Sequence, residues 1–303
     1  MSELTKGIRL ADRYTLERPL GRGGEAETWL ASDRLTRASV ALKIVPAAGA
    51  GRLREEWQAN LRLMHAHIVR VFEFHEDQGF AFYSLQFIDG ADIGAIAGKG
   101  LEEILPPVGL LADALRYAHA KGVVHRDVKA ANVLLDHNGV PYLADFGVAA
   151  KAGSKVGGGS PVAASPQALR GEPATPSDDI YSLGVLIYEL IAGVPPQDDV
   201  RLEAAGGEVI PEAVATLVAR MLDPNAGNRP DASEVIEALT TAGFKSGPAR
   251  SQVSARPALE DEQIERVTAI KRAPVAGAAA PEVSGGESRG INARTVGISL
   301  AVL

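Results

Sequence analysis

The 303-residue chain contains no cysteine. That absence excludes disulfides, thiolate catalysis and Cys-ligated zinc, and it fits a reducing compartment such as the cytoplasm. No apolar run reaches the roughly 18 residues that a membrane-spanning helix requires. The opening "MSELTKGIRLADRY" lacks the apolar stretch of a secretory signal. Positive charge is outnumbered: a formal net charge of −7 argues against a nucleic-acid partner, whose docking surfaces are usually basic. The closing "TVGISLAVL" is apolar and follows Arg289 and Arg294. It is too short to span a bilayer alone, and a membrane tether would begin there only if sequence continued beyond Leu303. What is present is ordinary: 46% hydrophobic and 23% charged residues, enough to bury one large core or two modest ones.

From Tyr14 to Ile88 the pattern is strand-rich. "YTLERPLG", "ETWLASD", "ASVALKIV", "HIVRVFEFHED" and "FAFYSLQFI" are short apolar or alternating runs separated by turn residues. One helical segment interrupts them, "RLREEWQANLRLM", where Leu53, Trp57, Leu61 and Met64 form an apolar stripe. After Asp89 the chain turns helical. "EEILPPVGLLADALRYAHAKG" and "DDIYSLGVLIYELIAG" end in Gly122 and Gly193, as helices often do, and two shorter helical segments finish the compact part near Gly243. A small sheet with one helix, followed by a larger helical body, predicts two lobes with a cleft between them. From Phe244 onward, "APVAGAAAPEVSGGESRG" and its surroundings carry too few large apolar residues to offset chain entropy, which predicts a disordered tail. Within it, "LEDEQIERVTAIK" has the pattern of a transient helix. No internal repeat occurs.

The charged groups concentrate around one short segment. In "VVHRDVKAANVLLDHNGVPYLADFGVA", the runs Val133–Leu135 and Tyr142–Ala144 flank "DHNG", read as a hairpin with an Asn-Gly turn. Asp127, Lys129 and Asn132 precede the first strand and Asp145 follows the second. Burial makes such charge costly without a partner or a task. Taken singly, each is equally a turn or cap residue. Lys43 in "VALK" should share a face with Ala41, opposite Val40 and Leu42, and reads either as a solvated edge lysine or as a functional cation. Gly21, Gly23 and Gly24 lie between two predicted strands, where they serve a plain hairpin or let backbone N–H groups approach phosphate oxygens.

"HRDVKAAN" with "DFG" downstream, "VALK" upstream and "LGRGGEAETW" near the start resembles the eukaryotic-type protein kinases, most closely their bacterial serine/threonine branch. The resemblance covers Tyr14 to Gly243. It implies an α+β bilobal fold: a small antiparallel-sheet N-lobe with one helix over residues 14–88, and a larger, mainly helical C-lobe over residues 89–243. Residues 1–13 then form a leader and residues 244–303 the tail, a possible juxtamembrane linker. The implied activity is transfer of the ATP γ-phosphoryl group to serine or threonine hydroxyls of proteins, including the chain itself.

The resemblance also assigns roles. Asp127 is the base that orients the substrate hydroxyl, and Lys129 neutralises charge on the transferring phosphate. Asn132 and Asp145 hold Mg²⁺, or Mn²⁺ in its place, through hard oxygen ligands. Lys43 holds the nucleotide phosphates and pairs with a helix glutamate; family register selects Glu56 over Glu55. Gly21, Gly23 and Gly24 cover the phosphates. Leu20, Thr28 and Ala41 roof the base, Leu134 floors it, Leu85 guards the rear, and the backbone of Gln86 and Ile88 bonds its edge. His125 packs beneath Phe146, Asp179 anchors the catalytic loop, and Arg126 meets a phosphorylated Ser154 or Ser160. His65 and His67 read as structural.

Several residues depart from the family pattern. Ala26 stands for a third glycine, Asn60 for an apolar residue behind the helix, Ala163 for an aromatic, and Gln167 for a glutamate paired with Arg229. A lost ion pair there would cost about 3–5 kcal/mol. These departures motivate a second reading, a pseudokinase acting as a nucleotide-binding scaffold. A third, a small-molecule kinase of the aminoglycoside phosphotransferase type, is opposed by Lys129 and the "SPQALRGEP" region. The sequence does not specify an oligomeric state.

Overall fold

The structure, a computed structural model, describes residues 4–23, 26–146, 150–151, 163–196 and 202–249. The N-lobe is a six-stranded antiparallel sheet in the order β1-β2-β3-β4-β6-β5. Its strands are β1 (Arg9–Leu10), β2 (Tyr14–Gly23), β3 (Ala26–Asp33), β4 (Ser39–Pro46), β5 (Val71–Asp77) and β6 (Phe80–Gln86), with helix α1 (Ala50–Asn60) between β4 and β5. The alternation read in "VALK" sorts the strand as expected. Val40, Leu42 and Ile44 join Tyr14, Leu16, Trp29 and Phe82 on one face. Val45, Ala81 and Tyr83 meet Leu53 of α1 on the other, so Ala41 and Lys43 rise from the face that carries the helix.

The stripe expected along α1 fails in its second half. The helix ends at Asn60, and Leu61 and Met64 are 42% and 66% exposed. The chain turns at that point, with the Leu63 N–H on the Asn60 carbonyl. Leu63 instead enters the C-lobe core.

The C-lobe contains β7 (Gly90–Asp92), α2 (Leu101–Ala120), β8 (Val123–Val124), β9 (Val133–Asp136), β10 (Pro141–Leu143), β11 (Ala150–Lys151), α3 (Pro166–Leu169), α4 (Pro176–Ala192), α5 (Glu212–Met221) and α6 (Ala232–Thr241). Helix α4 is apolar nearly all round and correspondingly buried, the signature of a core helix. Thr175 and Asp178 close its N-terminus as a capping box, and Gly193 ends it at φ 74°, which only glycine adopts freely. The lobes join where residues 67–69 run beside β10: the Val69 N–H bonds the Leu143 carbonyl, and the Leu143 N–H bonds that of His67.

Both expected domain edges differ from the observed packing. Leu4 and Leu10, placed in a leader, lie in the N-lobe core because β1 pairs with the start of β2. Phe244 and Ala249, placed in the tail, pack into the C-lobe core. The strap between them runs along α2, where the Gly247 N–H bonds the Pro106 carbonyl, and reaches the β9–β10 turn, where the Ala249 N–H bonds the Gly139 carbonyl. The remaining expected tail lies outside the described residues. Among the described residues, no helix is long and apolar enough to cross a membrane.

Candidate active site

The site is built on the hairpin β9–β10, in which Val133, Leu134 and Leu135 pair with Leu143, Tyr142 and Pro141. The Ala144 N–H continues this ladder to the Asn132 carbonyl at 2.8 Å, setting Asn132 and Asp145 at the base of adjacent strands. At the other end the turn is longer than the expected Asn-Gly pair. The Gly139 N–H bonds the Asp136 carbonyl and Gly139 takes φ 75°, a three-residue loop whose left-handed glycine absorbs the extra residue. Asp136 tightens it by accepting the N–H groups of Asn138 and Val140.

Before β9 runs the loop bearing Asp127. Asp179, fully buried on α4, accepts the backbone N–H groups of His125 and Arg126 at 2.8 and 2.7 Å, as anticipated. His125 is buried with its ring edge-on to Phe146 at 4.4 Å, the packing role expected of it. Arg126 and Asp145 both occupy left-handed backbone, at φ 68° and 63°. Such conformations cost about 1–3 kcal/mol in a non-glycine residue and persist only where surrounding bonds impose them. Asp127 Oδ2 receives Lys129 Nζ at 2.7 Å and Asn132 Nδ2 at 2.9 Å, and Asn132 Nδ2 also reaches the Asp127 carbonyl at 2.8 Å. One carboxylate, one ammonium and one amide therefore form a single cluster, as the motif spacing implied.

From the opposite lobe comes Lys43. Its ammonium lies 2.7 Å from Glu56 Oε1 and 2.5 Å from Asp145 Oδ1, so one side chain ties sheet, helix and C-lobe together. Burial lowers the pKa of this amine, yet the facing carboxylates of Asp145 and Glu56 outweigh burial and hold it above the usual lysine value. Glu55 points to solvent. The choice between the two glutamates is therefore settled geometrically in favour of Glu56 as the partner of Lys43.

Several residues to which the resemblance gives a nucleotide role meet across the N-lobe sheet. Thr28 pairs across β3–β4 with Lys43, Leu85 pairs across β4–β6 with Ala41, and Gly21 pairs with Thr28. Leu20, Leu85, Ile88 and Leu134 are half-buried, and Ala41 is buried. The Gln86 N–H is committed to the Arg70 carbonyl, so any bond from Gln86 to a base falls to its carbonyl. A Cβ built on Gly21 would meet nothing within 4 Å, so packing does not require glycine there. Gly23 pairs with Ala26 at the tip of the β2–β3 hairpin. Gly24, Ser154 and Ser160 lie outside the described residues.

The donor set fits a hard divalent cation. Asn132 turns Nδ2 to Asp127, which leaves its amide oxygen uncommitted to that bond, and the backbone ladder sets Asn132 and Asp145 at the two sides of the hairpin base. Two oxygen ligands, one charged, suit a cation that completes its shell with phosphate and water. His65 and His67 are satisfied elsewhere, by Asp113 and by the Pro141 carbonyl. Gln167 does bond Arg229, at 2.7 Å, and the carbonyls of Ser177, Asp223 and Pro224 accept from the same guanidinium. Backbone oxygens thus share this guanidinium with Gln167, while burial still lowers its pKa. Sequence reasoning missed Tyr83, whose hydroxyl donates to Glu56 Oε1 at 2.6 Å. The signal was available, because Tyr83 precedes Leu85 by two and shares its strand face.

Fold and cleft together define a bilobal, protein-kinase-like architecture. Residues 14–239 match the protein kinase domain, and the chain belongs to that family, whose members use ATP with a divalent cation. It is similar to the serine/threonine-protein kinase PkaA of Streptomyces coelicolor, 32% identical over 76% of this chain and 50% of PkaA. It also resembles PrkC of Bacillus subtilis, at 27% identity over 89% of this chain and 48% of PrkC. With PknH of Mycobacterium tuberculosis it shares 30% identity over 80% of this chain and 40% of PknH. The chain thus spans half or less of the length of these relatives.

Proposed function

We propose that this chain is a serine/threonine protein kinase that transfers the ATP γ-phosphoryl group to protein hydroxyls. The observation that carries the reading is the Lys43 ammonium held between Glu56 and Asp145 across the two lobes, above the Asp127–Lys129–Asn132 cluster. In this reading Lys43 grips the nucleotide phosphates and Glu56 fixes the lysine. Asp127 accepts the proton of the substrate hydroxyl as its oxygen bonds to the γ-phosphorus and the bond to the β–γ bridging oxygen breaks, releasing ADP. General-base positioning of this kind contributes about 10²–10⁴-fold in rate. Lys129 follows the charge of the transferring group. Asn132 and Asp145 would hold Mg²⁺, which neutralises phosphate charge when bound. Leu20, Gly21, Gly23, Gly24, Thr28, Ala41, Leu85, Gln86, Ile88 and Leu134 would enclose the nucleotide.

The Asp-x-Lys spacing of Asp127 and Lys129 supports alcohol rather than phenol acceptors, and the presence of Lys43, Glu56, Asp127, Asn132 and Asp145 together supports turnover over scaffolding alone. Incubation with labelled ATP and Mg²⁺ should label the chain itself or a generic basic protein, and Asp127→Asn and Lys43→Met should each abolish labelling. Absence of label with both Mg²⁺ and Mn²⁺ in the unaltered chain would refute the proposal. The cysteine-free sequence supports a cytoplasmic setting for the domain, and recovery of the native protein only from an oxidising compartment would contradict that.

A further inference from the structure

Glu56 is held by more than Lys43. Its Oε1 receives Lys43 Nζ at 2.7 Å and the Tyr83 hydroxyl at 2.6 Å. The register accounts for this convergence. Tyr83 on β6 sits directly opposite Lys43 on β4, so both side chains rise from one face of the sheet toward α1. From the helix side, buried Asn60 donates its amide to the Glu56 carbonyl at 2.9 Å. A carboxylate this enclosed, with its side chain 8% exposed, needs donors to satisfy it and to hold it in place.

We propose that Tyr83 is the positioning residue that fixes Glu56, and through it Lys43, for nucleotide binding. The inference rests on the kinase reading and deepens it. When phosphates enter the cleft, Lys43 must turn part of its hydrogen bonding to them. Glu56 then depends on the phenol to stay where it can hold the amine. Burial, followed by the negative charge of Glu56, drives the Tyr83 phenol well above its usual pKa, so it remains a donor at all working pH. Tyr83 would touch neither nucleotide nor protein substrate; its effect runs through Glu56.

The test is Tyr83→Phe, which keeps the ring in its cluster with Val45, Leu53 and Ala81 and removes one hydroxyl. Loss of one bond to an ionised group predicts about a tenfold drop in kcat/KM for ATP and a similar weakening of Mg-ADP binding by calorimetry, with the KM for protein substrate unchanged. Amides of α1 should exchange with solvent faster, also by about tenfold. In a Glu56→Gln background, adding Tyr83→Phe should change each readout less than about twofold, because the two residues act as one unit. Mg-ADP affinity and α1 exchange within about twofold of the unaltered chain would overturn the proposal, as would equal losses with and without Glu56. If the unaltered chain binds nucleotide yet transfers no phosphate, the kinase reading fails, and the affinity and exchange measurements still decide the role of Tyr83.

Discussion

The carboxylate of Asp179 lies 2.7 Å from the backbone nitrogen of Arg126, a residue held at φ 68°. This bond keeps the chain in left-handed backbone immediately before Asp127. The same carboxylate takes the His125 N–H and His119 Nε2, both at 2.8 Å. Asp179→Asn preserves volume but removes the charge those donors face. It should destabilise the fold by about 1–3 kcal/mol in urea unfolding, and kcat should fall more than KM changes, because Asp127 moves while the nucleotide walls do not.

At Gly21 an added Cβ would point into open space rather than protein. Gly21→Ala should therefore leave the melting temperature within about 1 °C, since surface changes away from packed groups are near neutral. If phosphates pass close beneath this strand, the same methyl should weaken ATP binding several-fold. Calorimetry alongside a melting curve separates the two effects.

Asp33 receives a bidentate pair from Arg13, both bonds at 2.7 Å, with further donors from Leu35 and Thr36. The Arg13 bond, opposed only in part by burial, holds its carboxyl well below the usual range. A depressed carboxyl contributes stability that is complete above its unfolded pKa, near about 3.9, and is lost as pH falls toward the folded value. Asp33→Asn should therefore lower stability at pH 7, and the gap to the unaltered chain should narrow once pH drops below about 4. A stability series across pH 2–7 checks the sign.

Gln167 accepts from Arg229 and donates to the Pro224 carbonyl at 2.8 Å. Gln167→Ala strips an acceptor from a buried guanidinium and a donor from that carbonyl, and should cost about 1–3 kcal/mol. Arginine stays charged throughout the accessible range, so the deficit should be the same at pH 5 and pH 9. A loss that varies with pH would point to a different partner.

Both lobes, the alternation of β4 and the order of the C-lobe helices were legible from periodicity. That Lys43 meets Asp145, and Asp127 meets Asn132, was expected from the family resemblance rather than from periodicity. What escaped was set by tertiary contact. The α1 stripe looked continuous through Met64, but the chain turns at Asn60 to hand Leu63 to the other lobe. Arg9 and Leu10 are too few to read as a strand, and become one only because β2 offers an edge. The strand face of Tyr83 was readable, but the partner of its hydroxyl was not, because Glu56 reaches it only from α1 across the sheet. At Arg229, local reading counted a missing carboxylate and could not see the carbonyls of Asp223 and Pro224, folded back from just upstream, and of Ser177 from α4 converging on the guanidinium.

The strap that closes on Ala249 leaves no room at its last contact. A Cβ on Gly139 would come within 2.3 Å of the Ala249 carbonyl oxygen, so backbone lies directly on backbone at the hairpin tip. The strap therefore seats on the tip of the same hairpin whose other end carries Asn132 and Asp145, so a bulkier residue at position 139 would push both at once.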